Sequence, residues 1–358
     1  MSSTAPGALI LDEITSQGEA WGALLADVRP QVDSARALFT GIEEIIFSGC
    51  GSGLNAAWFT APLFQAQTGW SARAVPAADI SFFPETVLVP SRRTLAVFFS
   101  RSGRTTEVVQ ALALLRARGI AVLGITCSPE SPLAAAADRC LILEAVRERA
   151  VATTRSFTGM LLAAQFLAAT LSDDSAFVDG LTGLPGRCQS LLPTCQLLGE
   201  ELGQRADLDA FAFVGSGPFY GLAREGQLKV KETTLLPADA YPVLDYRHGP
   251  QSTITPRTLM VALMSDRARD EERRFLGDMK SLGATLLVCC GKADPDLRAV
   301  SDFTLEVGGD LDERLRGPLY LPAIQLLAAR RALARGLNPD FPPHLSHWID
   351  TSIPGVEH

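Results

Sequence analysis

The sequence lacks the features that mark membrane proteins and general nucleic-acid binders. It has 40 Asp and Glu against 32 Lys and Arg, which gives a formal net charge of −8. A chain of this charge is a poor general partner for DNA, RNA or anionic lipid, although a local pocket can still bind a small anion. No apolar run reaches the ~18 residues of a membrane span, and the polar N-terminus has no basic segment before an apolar run. These absences predict a cytoplasmic protein with no membrane or nucleic-acid partner.

Motifs for disulfides, zinc and nucleotides are also missing. The seven cysteines are an odd number, none forms Cys-x-x-Cys with a nearby histidine, and most lie in apolar stretches. We therefore expect reduced and mostly buried thiols. The segment Gly49–Gly53 matches two positions of a dinucleotide fingerprint, but Leu54 stands where the third glycine should be, and no Gly-Lys-Ser/Thr of a P-loop is present.

What the sequence does contain is a weak internal repeat, at an offset of 164–166 residues. The matching pairs are Phe47–Gly53 with Phe213–Phe219, Leu95–Ser100 with Met260–Ser265, and Gly119–Leu123 with Gly283–Leu287. Chance matches would not keep so constant an offset over this length. The repeat indicates a tandem duplication.

Each copy alternates short apolar strands with glycine-rich turns and helices. Strands are predicted at Ile45–Phe47, Thr94–Phe99, Ala121–Thr126, Phe211–Gly215, Leu259–Met264 and Thr285–Val288. Helices are predicted at Leu54–Gln67, Thr105–Arg118, Gly221–Glu232 and Asp270–Leu282, and Met160–Leu171 indicates a buried helix. Continuous apolar runs indicate strands covered on both faces, and the alternation predicts an α/β fold with a parallel sheet in each copy.

The predicted organisation is a helical segment, two domains and a tail. Residues 1–40 are amphipathic and are expected to pack on the first sheet. Their apolar face comprises Ile14, Trp21, Leu24, Leu25 and Val28. The domains span 41–185 and 195–340, and the linker lies within the Gly- and Pro-containing stretch Gly180–Pro193. The tail, 341–358, should lack long regular structure.

The segment Ser100–Thr105, which we call the serine loop, is the strongest candidate for a phosphate site. It follows a buried strand, opens a helix, and supplies hydroxyls, backbone N–H groups, a glycine and the positive end of a helix dipole. The simpler interpretation is an ordinary N-cap by Thr105 or Thr106, with Glu107 complementing the dipole. The density of hydroxyls and arginines exceeds what a cap requires, so phosphate binding is favoured.

The first turn, Gly49–Gly53, is a weaker candidate. It can offer backbone N–H groups and the Ser52 hydroxyl to a small ligand. A plain strand-to-helix turn explains the same residues equally well.

The densest group of ionisable residues lies between Arg224 and His248. Glu225, Lys229 and Glu232 share one helix face, which by itself indicates a solvated ion-pair surface. His248 stands in a loop beside Gly-Pro, and histidine suits proton transfer near neutrality. A carboxylate and an imidazole together meet the needs of an aldose–ketose proton shift, in which one group moves the C1/C2 proton and the other opens the ring. His344 and His347 lack a nearby acidic ligand on a helix, so no metal site is predicted.

These segments together resemble the sugar isomerase (SIS) domain proteins, over roughly residues 10–350. The resemblance is carried by Glu13–Trp21, Gly49–Gly53, Phe99–Gly103, Ser156–Thr158, Gly215–Gly217, Leu222–Glu232, Arg247–Pro250 and Asn338–Asp340. It is specifically to the double-SIS group, which includes the isomerase half of glucosamine-6-phosphate synthase and the AgaS-type isomerase/deaminases. It implies two tandem SIS domains, each a flavodoxin-like three-layer αβα sandwich.

The resemblance also implies a role for each matching residue. The sugar phosphate would be held by Ser52, Gly53, Ser100, Arg101, Ser102 and Thr105. The sugar would be contacted by Cys50, Gly51, Thr153, Glu225 and Lys229. Glu232 matches the carboxylate that moves the C1/C2 proton. His248 matches the ring-opening histidine, which in the family reaches a neighbouring subunit's site, so a homodimer is expected.

Departures from the synthase pattern limit what the resemblance implies. His347, assigned to the catalytic group, stands where the synthase has its Schiff-base lysine, and it cannot form that Schiff base. Arg101 replaces the synthase's glutamine, as in AgaS-like proteins. The glutaminase domain has no counterpart, so the chain is not expected to draw ammonia from glutamine by itself.

The predicted function is a cofactor-independent and metal-independent isomerase or isomerising deaminase of a hexose or hexosamine 6-phosphate. Three alternatives stay open. They are a deglycase for fructosamine-type phosphates, a non-catalytic sugar-phosphate sensor, and a subunit that needs a separate ammonia-supplying partner. The sensor is disfavoured because residues 1–40 are too short and acidic for a convincing helix-turn-helix.

Overall fold

The computed structural model describes residues 5–348 and divides them into two compact units. The first unit consists of Gln17–Pro185 and the described residues from Pro343 onward. The second unit consists of Gly186–Pro342 and the described residues up to Ser16. The domain bounds inferred from the sequence, 41–185 and 195–340, stay a prediction.

The first unit is built on a five-stranded parallel sheet. Its strands are β1 (Glu44–Gly49), β2 (Ser71–Pro76), β3 (Thr94–Phe99), β4 (Ala121–Thr126) and β5 (Arg139–Ile142). Their spatial order is β2-β1-β3-β4-β5, and all neighbouring pairs are parallel. All six residues of β1 and of β3 are buried, which is the continuous apolar pattern of a strand covered on both faces.

Helices cover both faces of this sheet. They are α2 (Gln17–Ala35), α3 (Ser52–Thr68), α4 (Ala77–Phe82), α5 (Pro84–Val87), α6 (Thr106–Ala117), α7 (Pro132–Ala136) and α8 (Arg155–Leu171), with 3₁₀ turns at Arg36–Phe39 and Glu144–Val146. Ile46 of β1 joins an apolar cluster that includes Ile80 of α4 and Leu112 of α6. The next residue, Phe47, instead contacts Phe64 of α3, with ring centroids 5.2 Å apart. Because successive side chains of a strand point to opposite faces, these contacts define a three-layer sandwich.

The second unit repeats this architecture. Its strands are β6 (Ala210–Gly215), β7 (Ala238–Tyr241), β8 (Thr258–Leu263), β9 (Thr285–Cys290) and β10 (Phe303–Glu306). They form a parallel sheet in the order β7-β6-β8-β9-β10, which is the order of the first sheet. Its helices are α1 (Ala8–Thr15), α10 (Phe219–Thr234), α11 (Arg269–Ser281), α12 (Pro295–Val300) and α13 (Glu313–Ala334), with 3₁₀ turns at Leu244–Arg247 and Pro250–Thr253. The shared strand order confirms the two-copy α/β fold predicted from the repeat.

The stretch predicted to hold the linker is helical. It lies inside α9 (Ser175–Gln204), which also contains the boundary between the two units at Pro185. An apolar stripe at helical spacing outweighs the glycines and prolines of this segment. Its buried members are Phe177, Leu181, Leu184, Cys188, Cys195, Leu198 and Leu202.

The N-terminal residues are helical, as predicted, but their two helices belong to different units. Helix α1 belongs to the second unit, where Ile10 N–H donates to Asp340 at 2.8 Å. Helix α2 belongs to the first unit and packs chiefly on α8, where the indole of buried Trp21 donates to Thr158 Oγ1 at 2.9 Å. The five residues of the predicted apolar face are all buried.

The C-terminal stretch 338–348 contains no helix or strand, as expected for the tail, and the rest of the predicted tail lies outside the described residues. Across residues 5–348, none of the helices combines the length and the apolar character needed to cross a bilayer.

Candidate functional site

The first turn and the serine loop lie side by side at the carboxyl edge of the first sheet. The chain runs from β1 to β2 on one side and then to β3 on the other, so β1 and β3 flank the topological switch point. In open parallel sheets, this is where ligands bind. The turn packs so tightly on β3 that a Cβ added to Gly49 would lie 2.7 Å from the Phe99 carbonyl oxygen. Because Gly49 has no Cβ, the first turn and β3 can approach each other this closely.

The serine loop is shaped by its own hydroxyls. Ser100 Oγ accepts the Gly103 N–H at 3.1 Å, and Ser102 Oγ accepts the Arg104 N–H at 3.2 Å. Gly103 has a φ of 60°, and a Cβ there would collide with the Ser131 side chain. The loop thus has a compact conformation in which only glycine fits at its centre.

The serine loop has hydrogen-bonding groups that are not used to cap helix α6. Thr105 is the N-cap of α6, yet its side chain makes no capping hydrogen bond. Within residues 5–348, the backbone N–H groups of Ser102 and Thr105 also donate to no protein acceptor. Donors left open at a helix N-terminus can bind an anion, so they favour the predicted phosphate site over an ordinary cap.

Ser52 and Thr153, both predicted ligand contacts, are brought together. Their hydroxyl oxygens are 2.7 Å apart, which joins α3 to the irregular chain before α8. Gly51 precedes α3 with a φ of 52°, and Gly53 packs against Phe99. These polar groups border the same switch point as the serine loop.

Cys50, predicted to contact the sugar, lies half-buried in the first turn. Burial, and secondarily the charge of Glu107, raises the pKa of the Cys50 thiol to about 12. The thiol is therefore protonated near neutrality and is no nucleophile there.

Arg101 points away from open solvent. Its guanidinium donates to the carbonyl oxygens of Ala150 and Val151, at 3.2 and 2.9 Å, and to that of His347 at 3.0 Å. Its Nη1 also lies 3.7 Å from the buried carboxylate of Glu148. Its role as a phosphate ligand stays a prediction.

Glu225, Lys229 and Glu232 form a triad on α10 in the second unit. Lys229 Nζ lies 2.6 Å from Glu232 Oε2 and 3.3 Å from Glu225 Oε1. Burial alone would lower the pKa of Lys229, but the two carboxylates raise it above its ordinary value. The side chains of Glu225 and Lys229 are buried, whereas that of Glu232 is 19% exposed. The triad therefore presents one carboxylate outward, anchored from behind by a buried ammonium.

The two predicted histidines are exposed. Within the described chain, the His248 imidazole forms no hydrogen bond or ion pair, so neither kind of interaction links it to the α10 triad. Burial and the charge of Arg101 lower the pKa of His347. Among residues 5–348, no group of three or more His, Cys, Asp or Glu side chains is arranged to hold a metal ion.

At the corresponding edge of the second sheet, the loop after β8 donates its hydrogen bonds to two glutamate side chains. The sequence repeat pairs Ser265 with Ser100, but the strand registers make Met264 equivalent to Ser100 and place Ser265 one residue further on. Ser265 donates its hydroxyl to Glu313 at 2.7 Å, and Asp266 N–H donates to the same carboxylate at 3.1 Å. Ser265 N–H donates to buried Glu272 at 2.8 Å. Burial raises the pKa of Glu272. Internal carboxylates thus take the donors that the serine loop leaves open. Sequence reasoning did not find them, and the loss of the Ser-x-Ser-Gly pattern after Ser265 is the one signal available.

Residues 38–170 match the model of the SIS domain, and this stretch holds both the first turn and the serine loop. This stretch of the chain is an SIS domain. Because the two sheets share one strand order, the SIS protein is built from two such domains in tandem.

Relatives of this SIS protein include enzymes of hexose phosphates. It is 31% identical over 320 residues to the glutamine–fructose-6-phosphate aminotransferase (isomerizing) of Chlamydia pneumoniae, covering 86% of this chain and 51% of that enzyme. The chain therefore spans about half the length of such relatives.

Two solved structures share the fold over nearly the whole chain. The glucosamine-6-phosphate deaminase of Thermotoga maritima superposes with a TM-score of 0.79 at 29% identity, covering 95% of this chain and 99% of that one. The tagatose-6-phosphate ketose/aldose isomerase of Escherichia coli has a TM-score of 0.84 at 24% identity, covering 94% and 97%. The second likeness bears on the fold alone.

Proposed function

We propose that this protein is a phosphosugar isomerase or isomerising deaminase that acts on a hexose or hexosamine 6-phosphate. The observation that carries the proposal is the serine loop, whose helix-terminal donors stay open at the switch point of the first sheet. The full-length likeness to a glucosamine-6-phosphate deaminase supports the same substrate class.

In this proposal, the serine loop holds the phosphate and its binding energy positions the sugar. Ser52 and Gly53 complete the phosphate contacts, and Thr153 contacts the sugar. His248 assists ring opening, and the proposed homodimer places it in the neighbouring subunit's site. No cofactor or metal takes part.

Glu232 is the proposed proton carrier. Its carboxylate removes the proton from C2 of an open-chain aldose, and the C–H electron pair forms the C1=C2 bond of the enediolate. A proton passes from the C2 hydroxyl to O1, and the proton held by Glu232 returns to C1. With a 2-amino sugar the same shift gives a C2 imine, which water hydrolyses to the ketose and ammonia. Lys229 and Glu225 hold the Glu232 carboxylate in place.

A thermal-shift panel of hexose and hexosamine 6-phosphates tests the substrate class, and an ammonia assay on the hits separates deamination from isomerisation. Replacing Glu232 with Gln should lower kcat by about 10²–10⁴-fold, since a positioned proton carrier contributes that much. The exposed Glu271→Gln is the matched control. Unchanged turnover in Glu232→Gln would contradict the role of Glu232 as proton carrier. A panel in which no sugar phosphate stabilises the protein would contradict the proposed substrate class.

A further inference from the structure

Arg101 connects three separate stretches of the first unit. Its backbone carbonyl accepts the Cys127 N–H and the Thr126 hydroxyl, each at 3.1 Å, which fixes the serine loop to the end of β4. Its side chain, 13% exposed, reaches the carbonyls of Ala150 and Val151. It also reaches the carbonyl of His347 in the C-terminal stretch.

The carbonyl groups that Arg101 binds belong to a segment without the regular hydrogen bonds of a helix or sheet. Residues 147–154 form neither helix nor strand, so their buried backbone oxygens need donors from elsewhere. The planar guanidinium offers five N–H donors in fixed directions, and three of them are used here. The orientation of Arg101 is therefore determined by the carbonyls of this segment.

Glu148 secures the other end of the same segment. Its carboxylate is fully buried and accepts the backbone N–H of Thr154 at 2.6 Å, the Thr154 hydroxyl at 2.7 Å, and the N–H and hydroxyl of Ser156. The pairing with Arg101 offsets the cost of burying this charge. Thr153, which touches Ser52, lies between the residues that Arg101 and Glu148 hold.

We propose that Arg101 is a positioning residue which, together with Glu148, fixes the Thr153-containing segment and His347 to the serine loop, and that it is not a phosphate ligand. The proposal rests on the proposed function for its catalytic consequence. The structural part, the bracket formed by Arg101 and Glu148, stands on the contacts alone.

Replacing Arg101 with Lys distinguishes the two roles because they predict opposite results. An ammonium keeps the charge and binds phosphate as a point charge. It lacks the fork that serves carbonyls in two directions. If Arg101 is a phosphate ligand, lysine should preserve phosphate affinity, kcat and the order of the Thr153-containing segment. If Arg101 is a positioning residue, lysine should preserve phosphate affinity but lower kcat and loosen that segment. The ammonium can still pair with Glu148, so no buried charge is left alone.

The experiment compares wild type, Arg101→Lys, Glu148→Gln, the double variant, and exposed Arg118→Lys as the matched control. We expect Arg101→Lys to bind inorganic phosphate within about twofold of wild type and to lose about 10–100-fold in kcat on fructose 6-phosphate or glucosamine 6-phosphate, as misplaced contacts do. The losses of Arg101→Lys and Glu148→Gln should be less than additive, because they break one bracket.

Amide hydrogen exchange gives a readout that needs no activity. Exchange should rise at 149–154 and 345–348 in Arg101→Lys and stay at the wild-type level in Arg118→Lys. Unchanged exchange in Arg101→Lys would overturn the proposal, whether phosphate affinity stays at the wild-type level, as a ligand that tolerates lysine predicts, or falls tenfold. If wild type neither binds nor converts a hexose phosphate, the proposed function fails. The exchange data then still show whether Arg101 and Glu148 hold the Thr153-containing segment in place.

Discussion

The ammonium of Lys229 lies 2.6 Å from the carboxylate of Glu232, the outward member of the α10 triad. A second carboxylate, that of Glu225, lies on its other side at 3.3 Å and is fully buried. One positive charge thus holds two negative charges inside the second unit. The arrangement makes Lys229 important for stability as well as for the proposed chemistry.

Replacing Lys229 with Met should therefore destabilise the protein strongly. Removing one partner leaves buried carboxylates uncompensated, which typically costs about 3–5 kcal/mol. Exposed Lys231→Met should change the free energy of unfolding by less than about 0.5 kcal/mol. Urea denaturation of both variants measures the difference, and equal stabilities would show that the triad is not held by Lys229.

The same pair predicts a pH dependence. The folded-state pKa of Lys229 is raised above its ordinary value, so its contribution to stability is fully present below the unfolded pKa of about 10.4. The contribution is lost as the pH rises through the higher folded pKa. Unfolding measured between pH 8 and 11 should show a loss above pH 10 in wild type that Lys229→Met lacks.

Ser265 is a control for Ser100 because each serine lies in the loop that follows the corresponding strand, β8 or β3. Ser100→Ala combined with Ser102→Ala should weaken binding of fructose 6-phosphate by about 10²–10⁴-fold, since two hydrogen bonds to a charged group are lost. Ser265→Ala should leave binding unchanged, because Glu313 already occupies that hydroxyl.

Calorimetric titration checks both results and the stoichiometry, which should be one phosphate per chain. A second equivalent of phosphate, or an equal effect of Ser265→Ala, would contradict the assignment of the site to the serine loop.

The fold was predictable because burial on both faces leaves a sequence signal. The strand predicted at Thr94–Phe99 matches β3, and its apolar run needs no distant information. The place of the serine loop followed from the rule for parallel sheets. The glycines and prolines of Gly180–Pro193 favour a linker, so helix α9 was not predicted, although its apolar stripe is present in the sequence at helical spacing.

Side-chain orientation at the site was less predictable, since it depends on distant partners. Arg101 donates to Val151, 50 residues away, and to His347, 246 residues away. Ser265 donates to Glu313 across 48 residues. No local pattern in the sequence identifies such distant partners, and the phosphate role that the resemblance implies for Arg101 stays a prediction.

The thiols should resist alkylation at pH 8. Burial, with a smaller effect of Glu107, raises the pKa of Cys50 to about 12, and burial raises the pKa of Cys140, the other half-buried thiol, to about 12. Because the thiolate is the reactive form, iodoacetamide should modify folded protein far more slowly than a free cysteine. Mass spectrometry after timed quenching measures the rate, and rapid labelling of Cys50 at pH 8 would contradict its burial in the first turn.

Gly103 tests the conformation of the serine loop, and Gly277 provides a control of opposite sign. At Gly103, a φ of 60° and a Cβ collision with Ser131 should make Gly103→Ala less stable by about 2–4 kcal/mol, from backbone strain and overpacking together. Gly277 lies within α11 with open space around its Cα, so Gly277→Ala should stabilise by about 0.5–1 kcal/mol. Thermal and urea unfolding measure both, and phosphate titration of Gly103→Ala under folding conditions should show weaker binding. If Gly103→Ala were as stable as wild type and bound phosphate equally well, the loop would not have the conformation on which the phosphate site depends.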